Sequence, residues 1–385
     1  MRFLASNKIF NGRQYLPEGS VLVIDSQNTL KEITSESAIP KDKIEYFNGI
    51  ITPGFVNAHC HLELSHLKDK IQKHTGIPGF GQQIIMQRMG GASKEEIHEK
   101  ALAADEAMWK NGIVAVGDIS NADDSFKTKQ NSKIKYHTFI EILGLNPVNQ
   151  KVMFDLGLAF LKQLYAINLK GSLAPHAPYS TSLELIESIA RYDKENNLPL
   201  AIHNQETEEE TKFFLGEKSG FKELYDFLKM DISFFKAPGC SSLKYYSSVF
   251  KEQKVMLVHN TFSTPEDIKL ATDKNCFFCF CPNANLYIEN KLPDYNLFKE
   301  HINLLCIGTD SLASNAALDV IEEANIILKN TKAFSVENIL QMLTYNSAVA
   351  LDLENEFGSL LPGKNAGLNL LSFENDQLKL IQKII

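Results

Sequence analysis

Apolar and polar positions follow two different rhythms along the chain. Between about residues 50 and 350, short runs that are apolar on both faces alternate with longer segments in which apolar residues recur at helical spacing. The short runs read as strands at 51–56, 113–117, 134–140, 171–174, 198–202, 254–258, 277–280 and 303–307. Helix-like segments lie between them at 93–110, 150–167, 182–195, 218–229, 265–273 and 316–330, and another, 336–352, follows the last strand. Eight strands with intervening helices predict an α/β protein built on a (β/α)8 TIM barrel. An open doubly wound sheet is the alternative, but the glycine-rich first turn it needs is missing. Gly79-Phe-Gly81 and Arg88-Met-Gly-Gly91 do not join a strand to a helix, so neither is a dinucleotide or phosphate loop.

Residues 1–50 and 360–385 follow the second rhythm, short strand-like stretches at 21–24, 31–33, 366–372 and 378–385 broken by Gly12, Gly19 and the turn-rich 358–363. Neither end closes a core alone, and the two are expected to join into one small sheet domain, leaving 51–359 as the barrel. The connection 58–92 is too long for a plain turn. With Gly76, Pro78, Gly79 and Gly81 it is a candidate lid.

Composition narrows the class. A chain of 385 residues, 44% hydrophobic and 22% charged, can bury a large core and is not disordered. A net charge of -8 argues against a non-specific grip on a nucleic acid polymer. No uncharged apolar run reaches membrane-spanning length, and the opening residues lack the apolar core of a signal peptide, so a cytoplasmic protein is expected. Cys60, Cys240, Cys276, Cys279, Cys281 and Cys306 lie largely in apolar runs and are expected as buried free thiols.

The chemistry gathers at the strand ends. His59 and His61 are two residues apart at the end of the first barrel strand, so both imidazoles leave the same side of the backbone. Three later strands run into His203, His259 and Asp310, and another ends just before His176. In a barrel these ends meet at one mouth. His59, His61, His203 and Asp310 together make three imidazoles and one carboxylate with room for a water, the open pattern of a catalytic zinc; Fe(2+) or Mn(2+) would accept the same donors. Glu206, three residues beyond His203, is a candidate proton shuttle, while Glu208, Glu209 and Glu210 read as solvated acids. His259 is the natural base or electrostatic partner of the water, and His176, held between Pro175 and Pro178, is a candidate substrate contact.

Two other zinc patterns fail. Cys276-Phe-Phe-Cys279 lacks the proline of Pro-Cys-x-x-Cys, and His98-Glu99 has no second histidine at 102.

The stretches Pro53 to Glu63 (PGFVNAHCHLE), Ala174-Pro-His-Ala-Pro178, His203 to Glu206, Leu257-Val-His259, Cys281-Pro-Asn-Ala-Asn285 and Gly308 to Asn315 (GTDSLASN) resemble, in the same order, the amidohydrolase superfamily. The resemblance is to the branch that includes cytosine, guanine, S-adenosylhomocysteine and aminodeoxyfutalosine deaminases and the triazine chlorohydrolases. It implies a metal-dependent barrel beside a small β-sandwich built from both chain ends. It also implies one metal on His59, His61, His203 and Asp310, with Glu206 and His259 handling protons. Binuclear relatives carry a carboxylated lysine at the end of the fourth strand, where this chain has Ala174-Pro-His176. Ala284 stands where many relatives have serine, which leaves Asn285 as either a substrate contact or a loop brace.

The resulting expectation is a hydrolytic deaminase that removes an amino group as ammonia from a purine-like N-heterocycle. In it Glu206, His259 and Asp310 are catalytic, and Tyr179, Phe80 and Glu141 either hold the ring or simply pack. Hydrolysis of a cyclic or acyclic amide, or of another leaving group on a heterocycle, is the chemical alternative, and a non-catalytic metal-stabilised binding protein the alternative of a different class. The expected partner is a small heterocyclic substrate, with no membrane or nucleic acid polymer; a homodimer stays open.

Overall fold

The run expected as one strand over 51–56 is divided at Gly54, where a side chain would meet Val114 Cγ1 at 2.4 Å and the Ala366 carbonyl at 2.9 Å. The division separates two bodies of structure. In the computed structural model, which describes residues 1–251 and 253–385, the chain opens with β1 (Arg2–Ile9), β2 (Ser20–Ile24), β3 (Leu30–Ser35) and β4 (Ile44–Pro53). The barrel strands follow as β5 (Phe55–Cys60), β6 (Ile113–Ser120), β7 (Lys135–Ile142), β8 (Lys170–Pro175), β9 (Leu200–Asn204), β10 (Val255–His259), β11 (Phe277–Phe280) and β12 (Leu305–Ile307). The last two, β13 (Leu368–Glu374) and β14 (Gln377–Lys383), return to the beginning of the chain.

The flanking domain expected from both chain ends is built on one six-stranded mixed sheet in the order β14-β13-β4-β1-β2-β3. Only β1 and β4 pair in parallel; β13 lies antiparallel to β4, with Leu368 opposite Pro53. Its buried side chains, among them Leu4, Leu22, Ile51, Leu360 and Leu370, form a core of their own. Neither end contains this core by itself.

The barrel consists of two parallel four-stranded sheets, β5-β6-β7-β8 and β9-β10-β11-β12. Val56, Ala58, Ala115, Phe139, Met256 and Val258 fill its interior. The alternate positions, such as Phe55, Val116, Leu173 and Phe278, face the surrounding helices. Burial on both faces is why these strands read as continuous apolar runs. The half-sheets meet at two seams. At one, the Thr309 and Asp310 amides both donate to the His59 carbonyl (2.9 and 3.1 Å); at the other, the His203 amide donates to the His176 carbonyl at 3.0 Å. The barrel therefore closes at its histidines.

The long connection 58–92 contains a tight turn at Leu62–Leu67 and a helix, α1 (Gly76–Met89), whose glycines and Pro78 sit in its first turns. The short helices Phe126–Asn131, Glu208–Leu215 and Pro282–Glu289, six to eight residues each, escaped the sequence reading. Cys60, Cys276, Cys279, Cys281 and Cys306 are buried free thiols, and Cys240 is partly exposed. Among the described residues no helix is long and apolar enough to cross a membrane.

Deleting 360–385 removes β13 and β14 and leaves β4 with a bare edge. The truncated chain should melt at a temperature lower by on the order of 10 °C or more, or fail to stay in solution. An unchanged melting curve would show that the two ends are independent.

Candidate active site

The mouth of the barrel holds a cluster of donor atoms with few partners of their own. His59 is fully buried, and neither of its ring nitrogens has a hydrogen-bond partner. His61 Nε2 and His203 Nε2 face each other at 3.2 Å. Asp310 Oδ1 lies 3.5 Å from His59 Nε2 and 3.4 Å from His61 Nε2. Ring nitrogens and a carboxylate oxygen converging in this way, with both nitrogens of His59 unpartnered, suit a divalent cation. His59, His61 and Asp310 are close enough to ligate one ion together, and His59, His203 and His259 form an overlapping group.

The local backbone explains the convergence. A register irregularity in β5 between Asn57 and Cys60 re-aims the end of the strand, and Asn57 ties it to β12 through Thr309 Oγ1 at 2.8 Å. Gly308 permits the approach, since a Cβ there would stand 2.7 Å from His59 Cβ. His259 (φ 77°) and Asp310 (φ 55°) both hold left-handed backbone, a conformation that costs non-glycine residues of order 1–3 kcal/mol and clusters where geometry serves chemistry.

The surroundings set the tautomers. His203 Nδ1–H donates to the His176 carbonyl at 2.8 Å, which leaves Nε2 a bare lone pair directed at the cluster. Asn285 Oδ1 sits 2.8 Å from His259 Nδ1, so His259 presents Nε2. Asn285 thus stands behind the histidine as a brace. Ser314 donates its hydroxyl to Asp310 Oδ2, turning Oδ1 to the histidines. Burial pushes His61 and His203 well below the usual histidine value, and His176 and His259 down to about 4. They are neutral at pH 7, as ligands and bases must be.

Glu206 is buried, with Oε1 3.4 Å from His259 Nε2. Burial first, and then the charges of Asp310 and other nearby carboxylates, hold it well above the ordinary carboxylate range. Its neighbours differ from expectation. Glu208 is exposed, but Glu210 is fully buried, accepting from the Gln205 amide at 3.0 Å and from the Ser242 hydroxyl. Glu210 is a brace of the turn after β9, where a solvated acid had been expected.

Above the cluster opens a cavity of about 680 Å³ with His61, His176, His203, Glu206, His259 and Asp310 at its polar end. Tyr179, Phe80 and Glu141 line it as well. Tyr179 also stacks on Phe221 with ring centroids 4.2 Å apart, and Phe80 enters from α1. The far half is walled by apolar side chains, including Ile84, Ile85, Leu143, Met153 and Phe160.

Several supporting residues escaped the sequence reading. Asp118, at the end of β6, accepts the Leu62 amide at 2.7 Å and so anchors the chain one residue beyond His61. Its other oxygen pairs with the fully buried Lys129 ammonium, which also donates to Ser120 Oγ (2.8 Å) and Thr138 Oγ1 (3.2 Å). An aspartate inside an apolar run was a legible signal; nothing in the polar stretch around Lys129 marked its partner.

The amidohydrolase family model matches residues 50–384. The adenosine deaminase of Helicobacter pylori is 29% identical over 344 residues, covering 87% of this chain and 82% of that protein. The crystal structure of Helicobacter pylori aminofutalosine deaminase with methylthio-coformycin superposes with a TM-score of 0.83 at 27% identity, over 97% of this chain and 93% of the other. A zinc-bound adenosine deaminase from Xanthomonas campestris gives a TM-score of 0.75 at 18% identity, over 97% and 85% of the two chains, which speaks for the shared fold.

Two outcomes test the site. Purified protein should carry about one divalent transition metal per chain by elemental analysis, and His61→Ala should lose most of it; full retention would remove His61 from the ligand set. Lys129→Met should cost about 3–5 kcal/mol in urea unfolding by stranding Asp118, and adding Asp118→Asn should restore much of that.

Proposed function

The chain belongs to the amidohydrolase family, and on that premise we propose that it is a metal-dependent deaminase releasing ammonia from an amino-substituted purine, with adenine-type nucleosides the first class to try. The observation that carries this is the buried Glu206 carboxyl 3.4 Å from His259 Nε2, beside the convergent donors at the floor of one cavity. Relatives named for adenosine and aminofutalosine deamination support the substrate class.

His59, His61, His203 and Asp310 would hold the ion, and the unpartnered nitrogens of His59 fit that role. When bound, a zinc or similar ion supplies Lewis acidity and a water that ionises near neutral pH. The protein's own groups do the rest. His259 Nε2, its ring fixed by Asn285, accepts a proton from the attacking water. Burial holds the Glu206 carboxyl well above its ordinary range, which favours the protonated form, and Glu206 gives its proton to the ring nitrogen beside the carbon under attack. Glu206 then takes the remaining proton from the new C–OH group and gives it to the departing amine, so that the carbonyl forms as ammonia leaves, and the proton held by His259 passes to Glu206, 3.4 Å away, restoring both groups. His176, with Nδ1 2.5 Å from Ser180 Oγ, offers its other nitrogen to the heterocycle. Tyr179 and Phe80 flank the ring. The apolar far half of the cavity suits a nucleoside with an enlarged, uncharged 5′ end. A diffusible substrate of this kind agrees with a cytoplasmic enzyme, alone or as a homodimer.

Ammonia release from adenosine-type nucleosides, guanine and cytosine, measured with metal-loaded protein, tests the activity. Glu206→Gln should lower turnover on the order of 10²–10⁴-fold with metal content and melting unchanged. Loss of metal alongside activity would make Glu206 a ligand instead, and near-normal turnover would remove it from proton transfer.

A further inference from the structure

Two segments that carry the site are tied together from behind by one acid. Glu323, in the helix Val320–Asn330, is fully buried and does not line the cavity. Its Oε2 accepts the backbone N–H of Asn283 at 2.8 Å, and its Oε1 accepts Asn283 Nδ2 at 3.0 Å and Asn315 Nδ2 at 2.6 Å. All three donors are amides, so the cost of taking this acid out of water is met by neutral hydrogen bonds. A carboxyl group suits them because it offers two acceptor oxygens, which can serve two segments of chain at once.

Each donor leads to a residue of the site. On one side, Asn315 Nδ2 also donates to the Thr309 carbonyl at 2.9 Å. That carbonyl belongs to the same peptide unit as the Asp310 N–H, which donates to the His59 carbonyl at 3.1 Å. The peptide is held at both edges, directly before the left-handed backbone of Asp310 (φ 55°). Ser314, next to Asn315, gives its hydroxyl to Asp310 Oδ2. On the other side, Asn283 is the second residue of the helix Pro282–Glu289. Cys281, just before that helix, makes no side-chain cap, and Glu323 supplies the missing acceptor from outside. Asn285, two residues on, holds His259 Nδ1 at 2.8 Å.

Resting on the deaminase reading above, we propose that Glu323 is a positioning residue, setting the ligand Asp310 and the base His259 relative to each other through Asn315 and through Asn285. The two connections leave neighbouring parallel strands, and the pairing of β11 with β12 ends at Phe280 opposite Ile307. Beyond that pair the strands no longer fix the course of the chain, and the carboxyl of Glu323 does. Glutamine in its place would keep the length but offer one acceptor oxygen, and would turn an amino group toward a donor. A brace of the fold alone is the alternative. Its loss would lower the melting temperature and leave metal affinity and turnover untouched well below melting.

Zinc affinity by chelator competition, and kinetics of ammonia release from the purine riboside the parent uses best, test this well below melting for the parent, Glu323→Gln, Asn285→Ala and the double variant. Glu323→Gln should bind zinc about 10- to 100-fold more weakly. At saturating zinc it should lose kcat by a similar factor with KM within about twofold, because the groups that meet the substrate are unchanged. In the double variant the kcat loss should fall short of the product of the two single losses, since both act on His259 through one amide. Asn283→Ala, which removes one donor and leaves the acid in place, should give the same pattern at smaller size, and carries the test should Glu323→Gln not fold. Parental zinc affinity and kcat in variants that merely melt earlier would overturn the proposal, and so would multiplicative losses in the double variant. Ammonia release from none of the purine ribosides by the parent would overturn the deaminase reading, whereas parental zinc affinity in Glu323→Gln, measured without any substrate, overturns this inference alone.

Discussion

Everything near the barrel mouth is arranged around electron pairs that have no proton to meet. Three imidazoles and a carboxylate converge in a buried place where His59 has no internal partner and two Nε2 atoms face each other. Left so, they would be among the least favourable contacts in the molecule, because a buried acceptor without a donor forfeits its hydration for nothing. A divalent cation reverses the sign of that interaction. The surrounding structure is a device for holding the donors together before the ion arrives.

That device is the closure of the barrel itself. The two half-sheets meet through the His59 carbonyl on one seam and the His176 carbonyl on the other, so donors from the first, fifth and eighth barrel strands are registered by the same hydrogen bonds that close the fold. Left-handed backbone at His259 and Asp310, the glycine at 308 and the buried Asp118–Lys129 pair behind Leu62 each fix one remaining degree of freedom. The flanking sheet adds no group to this cluster. It supports β4, which leads through Gly54 directly into β5 and so sets where the first two histidines begin.

Electrostatics then divides the roles. The same burial that lowers the histidines raises Glu206 well above the ordinary carboxylate range, so the two kinds of group are pushed toward their neutral forms together. On the opposite wall Glu63, Arg88, Asn121 and Glu141 form a second polar chain that connects α1 to the cavity. Helix α1 and the end of β7, which both line the cavity, are thereby one network.

Much of this was legible in the order of residues alone. Strands buried on both faces announce themselves as apolar runs, and donor residues at their ends announce a mouth, because the period of a strand and the geometry of a barrel leave them nowhere else to go. His59, His61, His203, His259 and Asp310 were found that way, and so was Glu206. What local pattern could not supply were partnerships across long separations. Glu210 reads as one of three solvated acids, and only the packing of Ser242 and the Gln205 amide against it shows a buried brace. Lys129 looks like any surface lysine until the short helix Phe126–Asn131 folds it onto Asp118. Arg88 lies in a stretch read as a loop, and only its helix brings it to Glu63 and Asn121. A charged side chain carries no mark of whether it will meet water or a partner. That is decided by which other segments arrive beside it, and so by the tertiary structure alone.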